Sequence, residues 1–237
     1  MAEKKKPLIE EKPEVNEALE KAKGFWSQYS KPISLIGLAV ILLGGGWLAY
    51  KHLYKEPREE KAAAAIFPAE NLFGKMTQTG FNKDSINQVL NGNKGNITGV
   101  LSVIKKFGGT ETANRAEYIA GACYLHNRDF NNAIKHLKEF STSATQIQTV
   151  AYLMLGDAHA ELNKKEDAFS YYEKAAAVNS RDEFYTAEAL YKSALFAETI
   201  GKNKEAVSML EKIRDEYPKS SHVADAEKLL AKLGVIK

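Results

Sequence analysis

Two patterns of apolar residues divide the chain. Residues 32–50 carry no charge, and the run 33–50 is long enough to cross a hydrocarbon core as one helix. From about residue 95 the apolar positions take helical spacing, and small residues return at a fixed interval. Gly121, Ala122, Cys123, Tyr124, Asp129, Ala133 and Leu137 return as Gly156, Asp157, Ala158, His159, Glu166, Ala168 and Tyr172. A looser third copy holds Ala194, Ala197, Gly201, Ala206, Leu210, Ile213 and Pro218. The step is 35 residues from Gly121 to Gly156 and from Ala133 to Ala168, then 38 from Ala168 to Ala206. A period of that length with small residues at fixed places predicts paired helices stacked into a solenoid. Gly121 and Gly156 should allow close approach within a pair, with Ala133, Ala168 and Ala206 facing them. Leu137, Phe140, Tyr172, Ala175, Leu210 and Ile213 should fill the space to the next pair.

The remaining segments also read as helical, so the fold class expected is all-α. Residues 1–24, rich in Lys, Glu and Pro, predict a disordered tail with a short helix over 15–23. Residues 57–67 should form a helix that Pro68 interrupts, with a second over 69–78. Asp84 is the expected N-cap of a helix ending near Leu90, and 91–96 is a turn-rich loop. A helix over 97–107 should close at Gly108 and Gly109, and Thr110 should cap the first long repeat helix. Pro218 ends the last paired helix, and Ser220 or Ser221 caps a final helix over 222–233 that closes the stack. The expected divisions are a charged tail (1–31), a transmembrane helix (32–50), a helical linker (51–94) and a repeat domain (95–237).

Aromatic residues strengthen the membrane reading. Trp26 and Tyr29 precede the apolar run, and Trp47 and Tyr50 mark its far end, as interfacial belts require. A cleaved signal peptide fits poorly, because about thirty residues including six Glu precede the run. Charge bias does not orient the span: Lys21, Lys23 and Lys31 lie on one side, and Lys51, Lys55, Arg58 and Lys61 on the other.

Charge and reactive residues argue against several functions. From Pro57 onward 24 Lys and Arg face 23 Asp and Glu, which leaves no electrostatic footprint for nucleic acid. Cys123 is the single cysteine, so no internal disulfide exists, and its small neighbours predict an inert core thiol. His52, His126, His136, His159 and His222 form no metal-ligand spacing. No phosphate loop or nucleophile elbow is present, so neither an enzyme nor a cofactor site is expected.

The repeat instead predicts a binding surface. The inner face of each first helix should include Arg115, Tyr118, Ala122, Leu125 and His126; Val150, Leu153, Asp157, Ala160 and Glu161; and Glu188, Tyr191, Leu195, Glu198 and Thr199. Tyr118, Leu125, Leu153, Asp157, Tyr191 and Leu195 are the candidate groove residues. In the tetratricopeptide repeat, which this spacing resembles, a carboxylate clamp needs Lys and Asn where Tyr118, Ala122 and Glu188 stand, so the resemblance implies that a free C-terminus is disfavoured as ligand. An apolar groove rimmed by acid suits an extended segment or helix of a partner.

The spacing of Gly121, Tyr124 and Ala133, and of Gly156, His159 and Ala168, resembles the tetratricopeptide repeat over about residues 95–233. The layout as a whole resembles the YfgM-like family of bacterial inner-membrane proteins, in the form common in Bacteroidota. Residues 67–69, 90–92, 107–110 and 152–157 carry that likeness. The resemblance implies a cytoplasmic N-terminus and a periplasmic repeat domain. It implies association with the SecYEG translocon and a PpiD-type membrane-anchored chaperone, and contact with unfolded exported proteins. A scaffold for another envelope machine, in outer-membrane assembly, cell-wall synthesis or secretion, is the alternative. In that phylum Ser85, within Asp84-Ser85-Ile86, would be a candidate O-glycosylation acceptor.

Overall fold

A computed structural model describes residues 13–235 and divides the chain into two compact units, residues 1–57 and 58–237. The tail expected over 1–24 lies outside the described residues up to position 12; from Pro13 onward it is helical.

The first unit is built on α1 (Pro13–Tyr50) and a π-helical stretch (Lys51–Lys55). Its apolar side chains, among them Leu35, Ile36, Ile41 and Leu43, are exposed. Pro32 lies inside α1, at the start of the uncharged run. Glycines 44–46 would each cost about 1 kcal/mol in an aqueous helix. An apolar solvent reverses the preference, because only a helix satisfies every backbone group there.

The second unit is helical among its described residues: α2 (Glu56–Thr79), which straddles the division, then α3 (Lys83–Asn91), α4 (Val100–Phe107), α5 (Glu111–His126), α6 (Phe130–Glu139), α7 (Thr145–Glu161), α8 (Lys165–Ala177), α9 (Glu183–Thr199), α10 (Asn203–Glu216) and α11 (Val223–Lys232). Helices α5 with α6, α7 with α8 and α9 with α10 are the three hairpins of the repeat, and α11 packs on α10 at the end.

The supposed linker belongs to this core. Ala62, Ile66, Ala69 and Met76 of α2 are buried with Val89, Val103, Phe107, Ala116 and Cys123. Their spacing keeps one helix face inward on both sides of Pro68, so α2 runs through the proline instead of breaking. A proline inside a helix costs about 3 kcal/mol. Burying Ile66 and Met76, at about 1.5–3 kcal/mol each, offsets that cost. The helix starts also differ in detail. Asn82, not Asp84, caps α3 by accepting from the Ser85 N–H, and Asp84 sits in the first turn. Helix α4 begins at Val100 behind Gly99, where a Cβ would meet Leu90 O at 2.4 Å. Asn93 Oδ1 gathers the N–H groups of Gly95, Asn96 and Ile97 in the preceding turn. Thr110 caps α5 as expected. No serine side chain caps α11; its N-cap is His222, and Ser220 Oγ accepts from the His222 N–H.

In the first two hairpins the glycine of the first helix receives a large side chain. A Cβ at Gly121 would lie 2.5 Å from Leu137 Cγ, and one at Gly156 would lie 2.5 Å from Tyr172 Cε1. Leu137 and Tyr172 therefore fill the gap within their own hairpin as well as facing the next one, where Leu137 joins Leu155 and Ala158.

Candidate partner-binding site

The site begins at the N-terminus of α5, where Glu59 of α2 reaches across. Its carboxylate accepts from Glu111 N–H (2.8 Å), Thr112 N–H (2.8 Å) and Thr112 Oγ1 (2.5 Å). Burial works against the Glu59 charge, but these hydrogen bonds and Arg115 hold its pKa below the ordinary value. An acid at a helix N-terminus also meets the positive end of the helix dipole. Arg58 donates to the Lys106 and Gly108 carbonyls nearby. Helix α2 is thereby fixed beside α5.

A cleft of about 330 Å³ lies between them, lined by Phe73 and Gly74 of α2, Tyr118 and Ile119 of α5, Phe140, and Ile147 of α7, with Glu70, Asn114, Arg115 and Thr142 around it. Arg115 Nε donates to Glu70 Oε1 at 3.1 Å. Asn114 exchanges two hydrogen bonds with the Ser141 backbone. The Tyr118 ring packs on Phe140, with centroids 5.1 Å apart.

A second, larger cleft of about 710 Å³ lies toward the other ends of α5 and α7. It is lined by Leu125, His126, Arg128, Phe130, Asp157, Ala160, Glu161 and Tyr172. Asp157 accepts from the Tyr172 hydroxyl (2.7 Å) and from Lys192 Nζ (2.6 Å). Burial, and then the Asp157 charge, raise the Tyr172 pKa, so its hydroxyl remains a donor. Aromatic stacking joins the two clefts along α5: Phe73 meets Phe81 edge-on at 5.9 Å, and Phe81 stacks on His126 at 3.6 Å.

The six candidate groove residues are therefore distributed as follows. Tyr118 lines the first cleft, and Leu125 and Asp157 line the second. Leu153 is a correction: it is 8% exposed and packs with Ala168, Tyr172, Ala175 and Ala189, because its side of α7 faces the α8–α9 interface. Tyr191 is half-buried and stacks on His222 at 4.7 Å, while His222 pairs with Glu188 at 2.6 Å. Lys232 of α11 pairs with Glu198 at 2.5 Å. Residues around α11 thus occupy much of the third unit's inner face. Leu195 is exposed but lines neither cleft.

Among the residues of the site that the sequence did not single out are Glu70, Phe73, Ile147 and Lys192. The regular apolar spacing of Ala62, Ile66, Ala69, Phe73 and Met76 was a usable signal for α2. Ile147 and Lys192 carried none, since each is an ordinary helix-surface residue until its neighbours are known.

The reactive groups are accounted for by packing. His136 pairs with Glu117 at 2.6 Å and stacks on Tyr124. Cys123 is buried, and burial lifts its thiol to about 12. No cluster of three or more His, Cys, Asp or Glu among the described residues is placed to hold a metal. Trp26, Tyr29, Trp47 and Tyr50 are all exposed on α1, and Ser85 lies in the first turn of α3.

Residues 23–185 match a family described as a tetratricopeptide repeat-like domain. The chain belongs to that family. Residues 188–220 match a further family, the tetratricopeptide repeat, over α9 and α10. Together the matches indicate a protein-interaction scaffold. The first of them opens ahead of the apolar run, so the family's domain takes in that run and α2–α4 as well as the repeats. No curated protein and no solved structure matches the chain.

Proposed function

We propose that this tetratricopeptide repeat-like protein is a single-pass membrane-anchored scaffold that serves the Sec translocon. Its repeat unit stands in the periplasm, links SecYEG to a PpiD-type chaperone and meets emerging exported proteins. The observation that carries the anchor is the aromatic spacing on α1. Trp26 and Trp47 are 21 residues apart, or about 32 Å along a helix, close to the ~30 Å hydrocarbon thickness. Phe25 and Tyr29 pair at one end and Tyr50 and Tyr54 at the other, with Lys51 over the Trp47 ring. Among the described residues this is the helix long and apolar enough to cross a membrane. An anchor raises the local concentration of the repeat unit at its place of work, so weak contacts suffice there. The translocon and the cytoplasmic N-terminus rest on the family resemblance, and the clefts beside α5 are compatible with it.

The test is gentle solubilisation of membranes, capture on a C-terminal tag and mass spectrometry of the co-purifying proteins. SecYEG subunits together with a PpiD-type chaperone support the proposal. Enrichment of a different envelope complex in their place would move the scaffold to that machine.

A further inference from the structure

We propose that α1 pairs with α1 of a second copy of the chain, as parallel helices that share one apolar seam from Ala18 through the membrane span. This deepens the anchor reading and rests on it.

Ahead of the uncharged run, α1 is sharply two-sided. At about 100° per residue, Ala18, Leu19, Ala22, Phe25, Trp26 and Tyr29 fall within about a third of the helix circumference. Every charged residue from Glu17 to Lys31 lies on the remaining arc. There Lys21 pairs with Glu17 at 2.8 Å and Lys23 with Glu20 at 3.9 Å. All six apolar side chains are exposed.

The bilayer does not cover this stripe. An interfacial belt accounts for Trp26 and Tyr29, but Leu19 lies seven residues beyond Trp26, about 10 Å of helix. Helix α1 runs on through Pro32 without a break, so the stripe follows the axis of the span instead of turning flat onto the membrane. Residues 17–31 hold three Lys and two Glu, and four of these five are paired along the helix. Little charge remains to draw the segment onto anionic headgroups.

The spacing selects the occupant. Ala22, Tyr29, Ile36 and Leu43 stand seven residues apart, and Ala18, Phe25, Pro32, Ala39 and Gly46 form a second series at the same step. These are the a and d positions of a parallel coiled coil, and none of them is charged. Two copies inserted in one membrane in the same sense are parallel and in register, so each of these residues meets itself. The flanking positions agree. Lys21 of one copy falls beside Trp26 of the other, a cation on an aromatic face, and no like charges are opposed. Within the span, Ala39 and Gly46 let the two backbones approach closely.

The test is disulfide cross-linking of the full chain in isolated membranes under mild copper-catalysed oxidation. Cys123 is buried with its thiol raised to about 12, so it adds no background. Ala22→Cys and Ile36→Cys put the thiol on the seam; Ser27→Cys and Ser34→Cys put it on the far side. The seam variants should give at least about fivefold more disulfide-linked dimer, because thiols on the far sides lie beyond disulfide reach. Adding Ala22→Glu to Ile36→Cys should cut that dimer by about tenfold, since two facing glutamates repel while helix propensity is kept. Equal cross-linking at the four positions, none at any, or a seam adduct with a different protein overturns the proposal. An alkaline carbonate wash separates the two readings. If it strips the chain from membranes, the anchor reading falls and takes this inference with it. A chain that resists the wash yet lacks the pattern leaves the anchor standing and sinks the pairing alone.

Discussion

Arg128, Asn163 and Gly201 occupy the same place in three successive hairpins, with φ of 63°, 55° and 81°. Each follows a first helix and closes it in the same way. In the first hairpin the N–H groups of Arg128 and Asp129 bond the Leu125 and Tyr124 carbonyls; Asn163 with Lys164 and Gly201 with Lys202 repeat this. Arginine is costly there, since a left-handed residue with a Cβ loses roughly 1–2 kcal/mol. Arg128→Gly should therefore stabilise the repeat unit by about 1 kcal/mol, because its exposed contact with Glu161 at 3.6 Å contributes little. A thermal melt checks this, and an unchanged or lower midpoint would refute it. His159 is a second residue at odds with its site. It replaces the aromatic of the first hairpin, Tyr124, and is 3% exposed with neither ring nitrogen hydrogen-bonded. The Asp167 carboxylate lies 3.4 Å away without closing a bond. Burial lowers the His159 pKa, so the unfolded chain binds this proton more readily than the folded one. Its contribution to stability is present above the unfolded value of about 6.5 and is lost as pH falls through it toward the lowered folded value. His159→Phe should raise stability by about 1 kcal/mol at neutral pH and reduce the loss between roughly pH 7 and 5. Denaturant titrations at the two pH values read both effects.

At the scale of elements, the hairpins depend on side chains filling the space a glycine leaves. Gly156→Ala would place a methyl 2.5 Å from the Tyr172 ring, which cannot swing aside without breaking its bond to Asp157. Overpacking costs typically 1–3 kcal/mol, and the gain in helix propensity returns about 1. A net loss is expected, visible as a lower melting temperature with helicity retained below it. The repeat period made these hairpins legible in the sequence, because small residues recur only where helices touch. The first third of the repeat unit was less legible. Pro68 reads as a break, and only the burial of Ile66 and Ala69 on either side shows why α2 continues. Leu153 and Tyr118 share a register position, yet one is buried under α8 and α9 and the other lines a cleft. Periodicity fixes which face of a helix is apolar, but not which neighbour covers it. Lys192 and His222, which occupy Asp157 and Tyr191, sit 35 and 31 residues from their partners, beyond any local signal.

For the whole molecule the consequence is a repeat unit that starts at α2. Chains that begin at residue 95 lose Ile66 and Met76 from the core around Val103, and lose Glu59 from the start of α5. Such a truncation should express as an aggregating or partly unfolded product, whereas one beginning at residue 58 should melt cooperatively. Equal melts for the two would show that α2 is dispensable. The proposed anchor and the cleft together would make the chain a scaffold tethered at a membrane, and that proposal is tested most directly at the cleft itself. The measurement is site-specific photo-cross-linking in intact cells, with the reactive group at Ile147 and, as a control, at Lys165, an exposed position that lines neither cleft. The account predicts a discrete cross-linked protein from membranes at Ile147, identified as a translocon or chaperone component, and little at Lys165. Equal labelling at the two positions, or none at Ile147 from a membrane-integrated chain, would contradict it.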